Sequence, residues 1–208
     1  MQAARGTPVG DDETSAPRAP RRLRWVFAGV ALSAYAVDIG TKVLAVERLE
    51  GRRDVEVVGE VLQLHLVRNP GAAFSTGTGL TPVISVVAII ATIAVLYYAR
   101  RVGTTTWAVA LGFLLAGITG NLTDRLLREP GPLHGHVIDF LRLPNWPVFN
   151  VADICINVAA GLIIILAFRG VHLDGTRDSD EPDAAAAEPE PDTDIDDDET
   201  VAAEERSE

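Results

Sequence analysis

Residues Thr81 to Ala99 read TPVISVVAIIATIAVLYYA, a continuous apolar run without one charged side chain. Crossing about 30 Å of hydrocarbon takes about 20 mostly apolar residues in a helix, so this stretch has the length and character of a membrane span. Runs of the same kind extend from Trp25 to Val46, Thr106 to Leu122 and Val148 to Phe168, giving four expected spans.

The chain as a whole looks acidic, with 29 Asp and Glu against 18 Lys and Arg, but 16 of those acids and only 2 of the basic residues follow Gly170. Without that tail the chain is slightly basic. No basic patch interleaved with aromatics points to nucleic acid. Cys155 is the single cysteine, which excludes an intramolecular disulfide or a CxxC metal site; among Ile154, Ile156 and Val158 and with no adjacent His, it reads as a packing residue.

These features divide the chain into a leader over 1–22, a membrane core over 23–170 and an acidic tail over 171–208. Leader and tail are too poor in large apolar residues to build a core and are expected to be disordered. Arg18, Arg21, Arg22 and Arg24 before the first span, with Arg100 and Arg101 after the second, place those ends in the cytoplasm. An even number of spans then puts both termini inside. The start also fits a signal peptide, because Ala34-Tyr35-Ala36 resembles a cleavage pattern that would cut before Asp38. The apolar character resumes through Val43 to Val46, however, and completes a span.

In the first outer loop, Leu62, Leu64 and Leu66 alternate with Gln63 and His65 after a valine-rich stretch, so about 53–68 is expected to be a small extended unit. Asn69-Pro70-Gly71 reads as a turn, after which Ala72 to Phe74 begin an apolar return to the bilayer. The loop from Arg125 to Pro147, broken by prolines, is expected to be mostly irregular.

Ionisable groups within a membrane are costly, and each is a functional candidate. Asp38 and Lys42 lie one turn apart in the first span and can pair, and for Lys42 the plain reading is a structural ion pair or snorkelling near the exit. Gly117, Asn121 and Asp124 share a face of the third span, with Arg125 at its end; Asn150, Asp153 and Asn157 form a stripe on the fourth. Asp139 sits in the apolar run from Val137 to Leu141. Asp38, Asn69, Asp124, Arg125, Asp139, Asn150 and Asp153 approach one depth on one side. Two carboxylates in a poorly solvated site share a proton and can run acid–base chemistry on an amide.

Asp38-Ile-Gly-Thr-Lys42, Asn69-Pro-Gly-Ala-Ala-Phe74, Gly120-Asn-Leu-Thr-Asp-Arg125, Gly135-His-Val-Ile-Asp-Phe140 and Phe149-Asn-Val-Ala-Asp153, in this order, resemble the motifs of the bacterial lipoprotein signal peptidases, or type II signal peptidases. The resemblance covers about 25–170 and implies an all-α integral membrane fold of four helices with a small outer β-cradle. It implies an aspartic endopeptidase that cleaves prolipoproteins before a diacylglyceryl cysteine, with Asp139 and Asp153 as the catalytic pair. Asn69, Gly71, Asn121, Arg125 and Asn150 would orient substrate or the dyad, while Asp38, Lys42 and Asp124 would support the network. Membrane lipid is the expected surrounding partner, the chain is expected to be a monomer, and no metal or organic cofactor is implied. Thr41 stands where a serine is common in the family, which keeps the hydroxyl.

Other readings remain. His134, His136 and Asp139 form an H-x-H-x-x-D pattern suited to a metal-dependent hydrolase. A serine mechanism lacks a G-x-S-x-G elbow, and Ser75 and Ser85 have no obvious His partner. A proton-coupled transporter would need polar groups through the full depth of the membrane, which the second span does not offer.

Overall fold

The computed structural model describes residues 19–71 and 80–178. Within them lie four long helices, α1 (Arg21–Leu49), α2 (Thr81–Tyr98), α3 (Thr105–Leu127) and α4 (Val151–Phe168), each long and apolar enough to cross a membrane. Strands β1 (Val55–Val58), β2 (Leu62–Asn69) and β3 (Val137–Arg142) form one antiparallel sheet in that order. The expected four-helix architecture with a small β-cradle is the observed one.

Helix α3 is the hub and packs against the other three. Its buried positions are largely small, including Ala108, Ala110, Ala116, Gly117 and Gly120, which lets neighbouring backbones approach closely. Helix α2 is the reverse: it buries only Thr81, Ser85 and Val95, and leaves Val87, Ile90 and Ile93 exposed. An apolar surface of that extent is stable in lipid and not in water.

The sheet caps one end of the bundle. Ala45 and Leu49 of α1 are buried with Ile138 and Phe140 of β3, and Leu64, Leu66 and Val151 close around them. At the other end Leu23, Val95, Val102, Ala108 and Leu111 form a second cluster.

Several boundaries differ from expectation. The segment 137–142, read as part of an irregular loop, is the third strand, pairing Val67 with Asp139 and Asn69 with Val137. Its residues Val137 to Phe140 are buried on both faces, so the alternation that marks a half-exposed strand is absent. The extended unit expected over 53–68 is therefore incomplete alone. Helix α4 begins at Val151 rather than Val148, because Phe149 bridges back to Leu141 through N–H···O contacts of 2.8 and 3.0 Å. The core also reaches beyond 23–170: Ala19 donates to the Arg100 carbonyl at 2.7 Å, Gly103 donates to that of Leu173 at 2.8 Å, and the Trp107 indole donates to that of Val171 at 3.1 Å. The apolar return from Ala72 to Phe74 lies outside the described residues.

Candidate active site

Beneath the sheet, α1 supplies Asp38 and Lys42, and both are fully buried. Lys42 does not snorkel. Its ammonium lies 2.9 Å from Asp38 Oδ2, 3.1 Å from Asp124 Oδ2 and 3.0 Å from Asn121 Oδ1, so one cation serves two carboxylates and an amide. Asp38 Oδ2 has that ion pair and, among the described residues, no well-formed hydrogen bond, while Oδ1 accepts from the Ala152 amide at 2.8 Å. Asp124 accepts from Arg128 and from the Ile138 amide, tying α3 to β3. The Ala152–Asp38 contact ties α1 to the start of α4, and the Ile138–Asp124 contact fixes the strand that bears Asp139.

Two glycines make this closeness possible. A Cβ on Gly120 would stand 2.3 Å from Asp38 Oδ2, and one on Gly117 would stand 2.5 Å from the Ala152 carbonyl oxygen. The face shared by Gly117, Asn121 and Asp124 is thus an approach surface, with polar groups set where the helices are nearest.

Asn121 passes the polarity onward. With its Oδ1 turned to Lys42 and to Asn150 Nδ2, at 3.1 Å, its Nδ2 faces Asp153 Oδ1 at 2.9 Å. Asn150 is the N-cap of α4 and not a member of its stripe. Its side chain accepts from the Asp153 amide at 3.1 Å, and its own amide donates to Asp153 Oδ2 at 3.1 Å, a reciprocal capping box. The same Asn150 side chain donates to Asp139 Oδ1 at 2.6 Å. One asparagine therefore touches both carboxylates.

Asp139 is positioned by β3 and receives a second donor, Asn69 Nδ2 at 2.9 Å, from the end of β2. Its side chain lies outside the membrane-spanning helices but is almost wholly buried. Burial pushes its carboxyl up to about 6, helped by the charge of Asp153 and opposed by the hydrogen bonds from Asn69 and Asn150. Arg125 donates from Nη2 to the Gly71 carbonyl at 3.1 Å, while its buried Nη1 has no hydrogen-bond partner among the described residues. Gly71 in turn donates to Asn69 Oδ1 at 3.0 Å.

Asn69, Gly71, Asn121, Arg125, Asp139 and Asp153 share the wall of a cleft of about 690 Å³. Asp38, Lys42, Asp124 and Asn150 stand behind it. Asn157 lines the cleft but is exposed and donates to the Asp153 carbonyl at 2.9 Å, so it belongs to the rim. Sequence reasoning missed the apolar lining from Trp146, Pro147, Val148 and Phe149, because a proline-interrupted loop carries no periodic signal. It also missed the Ala152 amide, since a backbone donor leaves no residue-type trace.

The His-x-His-x-x-Asp alternative does not assemble. His134 is exposed and contacts the Pro132 carbonyl, and among the described residues no three His, Cys, Asp or Glu are grouped to hold a metal.

Residues 30–169 match the family described as Signal peptidase (SPase) II. The chain belongs to the signal peptidase II family. A lipoprotein signal peptidase of Leifsonia xyli is 46% identical over 85% of this chain and 82% of its own length. One from Mycobacterium tuberculosis is 44% identical, covering 82% of this chain and 85% of the relative. A bacterial membrane enzyme solved by the in meso method superimposes with a TM-score of 0.62 at 25% identity, over 74% of this chain and 98% of that one. A signal peptidase II is a membrane-bound peptidase, and the buried polar network lies where the sheet, α3 and α4 of this chain meet.

Proposed function

We propose that this chain removes signal peptides from prolipoproteins by aspartic catalysis, with Asp139 and Asp153 as the catalytic pair and cleavage before a diacylglyceryl cysteine. The observation that carries the reading is the Asn150 bridge, whose side chain holds the Asp139 carboxylate and whose backbone amide holds that of Asp153 at one wall of the cleft.

A peptide bond entering the cleft meets a water held between the two acids. Asp153, as the base, takes a proton from that water as the oxygen attacks the carbonyl carbon. Asp139, whose burial favours the protonated form, donates its proton toward the carbonyl oxygen. When the tetrahedral intermediate collapses, the proton held by Asp153 passes to the departing nitrogen, a hydroxyl proton of the intermediate returns to Asp139, the C–N bond breaks and the new carboxylic acid is released. Asn69 and Asn150 hold Asp139 in place; Asn121 and the capping box hold Asp153. Arg125, with one nitrogen unpartnered among the described residues and lying beside the cleft, is suited to a substrate carbonyl. Lys42, Asp38 and Asp124 act through Asn121 and β3 as positioning residues.

The exposed faces of Ile154 and Val158 on α4 continue the cleft wall into the lipid-facing surface, a path for a substrate whose signal helix and acyl chains stay in the membrane. The arginines at the end opposite the sheet support cytoplasmic termini and a cleft near the outer leaflet.

The test is incubation of the purified chain with a prolipoprotein before and after diacylglyceryl transfer, with sequencing of the new N-terminus. Cleavage is expected only after transfer, immediately before the modified cysteine. Equal cleavage of the unmodified precursor would contradict the substrate assignment.

A further inference from the structure

At the end of the bundle opposite the sheet, α1 and the end of α2 enclose a second concavity of about 420 Å³. Its wall is apolar, formed by Trp25, Phe27 and Ala28 of α1 with Leu96 and Ala99. Its rim carries Arg21, Arg24 and Arg100. Arg21 and Arg24 lie one turn apart on the same helix face. Arg100 comes from the 3-10 turn that ends α2 and is held beside them by the 2.7 Å bond from Ala19 to its carbonyl.

These three guanidinium groups are exposed, and unlike Arg68, Arg128 and Arg142 they form no ion pair among the described residues. Pro20, at the N-cap of α1, supplies no side-chain acceptor, so the first-turn amides add positive potential to the same rim. Trp25 is 68% exposed, and Tyr97 and Tyr98 are exposed at the same end, the pattern of an aromatic belt at a membrane interface. Three cations without an ion-pair partner among the described residues, above an apolar trough at that depth, match a ligand with a negative head and a hydrocarbon tail.

We propose that this concavity binds an anionic glycerophospholipid, its phosphate among Arg21, Arg24 and Arg100 and an acyl chain along Phe27, Ala28 and Leu96. The site is separate from the carboxylate cleft and does not rest on the catalytic reading. The other anionic candidate is the acidic segment 179–208 of the chain itself, which continues from Asp178 at the same end. A run of Asp, Glu, Pro and Ala satisfies arginines but leaves the walls of Trp25, Phe27 and Leu96 without an apolar partner, so the lipid fits better.

The experiment is native mass spectrometry of the full-length chain titrated with phosphatidylglycerol or with phosphatidylcholine of the same acyl chains. Phosphatidylglycerol is expected to be retained about tenfold or more over phosphatidylcholine, within what three arginines contribute at about fivefold each. The triple substitution R21Q/R24Q/R100Q should abolish that preference, and R21K/R24K/R100K should keep it. Ala28→Phe, which fills the trough and leaves the arginines, should also abolish it. Amide substitution of Asp192, Asp194, Asp196, Asp197, Asp198 and Glu199 in the full chain should leave lipid retention unchanged. Equal retention of both lipids, or a preference that survives the glutamine triple, would overturn the proposal. So would a roughly tenfold rise on neutralising the tail, which would make the tail the occupant, or displacement by glycerol 3-phosphate, which would reduce the site to a phosphate contact.

Discussion

Replacing Lys42 by Met removes the one cation buried between Asp38, Asp124 and Asn121 while keeping the volume of the side chain. Asp124 retains Arg128 and the Ile138 amide, but Asp38 is left with the Ala152 amide alone. The net change is one uncompensated buried carboxylate, and breaking a buried pair from one side costs about 3–5 kcal/mol. A domain of roughly this size shifts by about 2–4 °C per kcal/mol, so the melting temperature in detergent should fall by about 6–20 °C. Cleavage should fall as well, because Asn121 Oδ1 loses its charged donor and with it the orientation that aims Nδ2 at Asp153. Adding Asp38→Asn removes the orphaned charge and keeps an acceptor for Ala152. The double variant should therefore recover more than half of the lost melting temperature but not the activity. Scanning fluorimetry and a prolipoprotein cleavage assay read the two effects separately. A single variant within about 2 °C of the parent, or a double variant no more stable than the single, would refute the assignment of Lys42 as the charge that holds the site together.

Asp139→Asn and Asp153→Asn are each expected to insert and fold with a near-parental melting temperature yet lose at least about 100-fold in kcat/KM, the usual scale of positioned acid–base catalysis; full activity in either would remove that residue from the pair. Asn150→Ala breaks both the capping box and the bridge, so it should cost about 1–2 kcal/mol in stability and lower kcat more than a capping loss alone explains, read by melting and steady-state kinetics. With Asp139 pushed from 3.8 up to about 6, the protonated form is the one that folding favours: its contribution to stability is complete below 3.8 and lost as pH rises toward about 6. Asp139→Asn should flatten that part of a melting-temperature–pH curve, and parental kcat/KM should decline as pH rises through about 6. Turnover in a strong chelator is expected to persist; loss restored by zinc would revive the metal-dependent reading.

The spans and the identity of the polar residues were legible in the sequence because lipid imposes a one-dimensional requirement: a helix must carry its apolar length in continuous sequence, and any charge within it stands out. The pairing of Asp38 with Lys42 was equally local, since one helical turn joins them. The choice of Asp139 and Asp153 as the proposed pair came from motif resemblance, for helical phase and the position of each segment placed Asp38, Asp124, Asp139 and Asp153 at one depth without ranking them. Only the tertiary structure decided the rest. Asp139 lies on a strand that the sequence disguised by burial of both faces, and that strand pairs with a segment about 70 residues earlier. Asn150 looked like one more residue on a helix and is instead the cap that touches both acids. Lys42 fitted a snorkelling lysine until α3 packed against α1, with Gly120 set against Asp38, and buried it. In each case the deciding contact joins segments far apart in the chain, and such contacts are set by how helices and strands pack, which no local pattern of residues encodes.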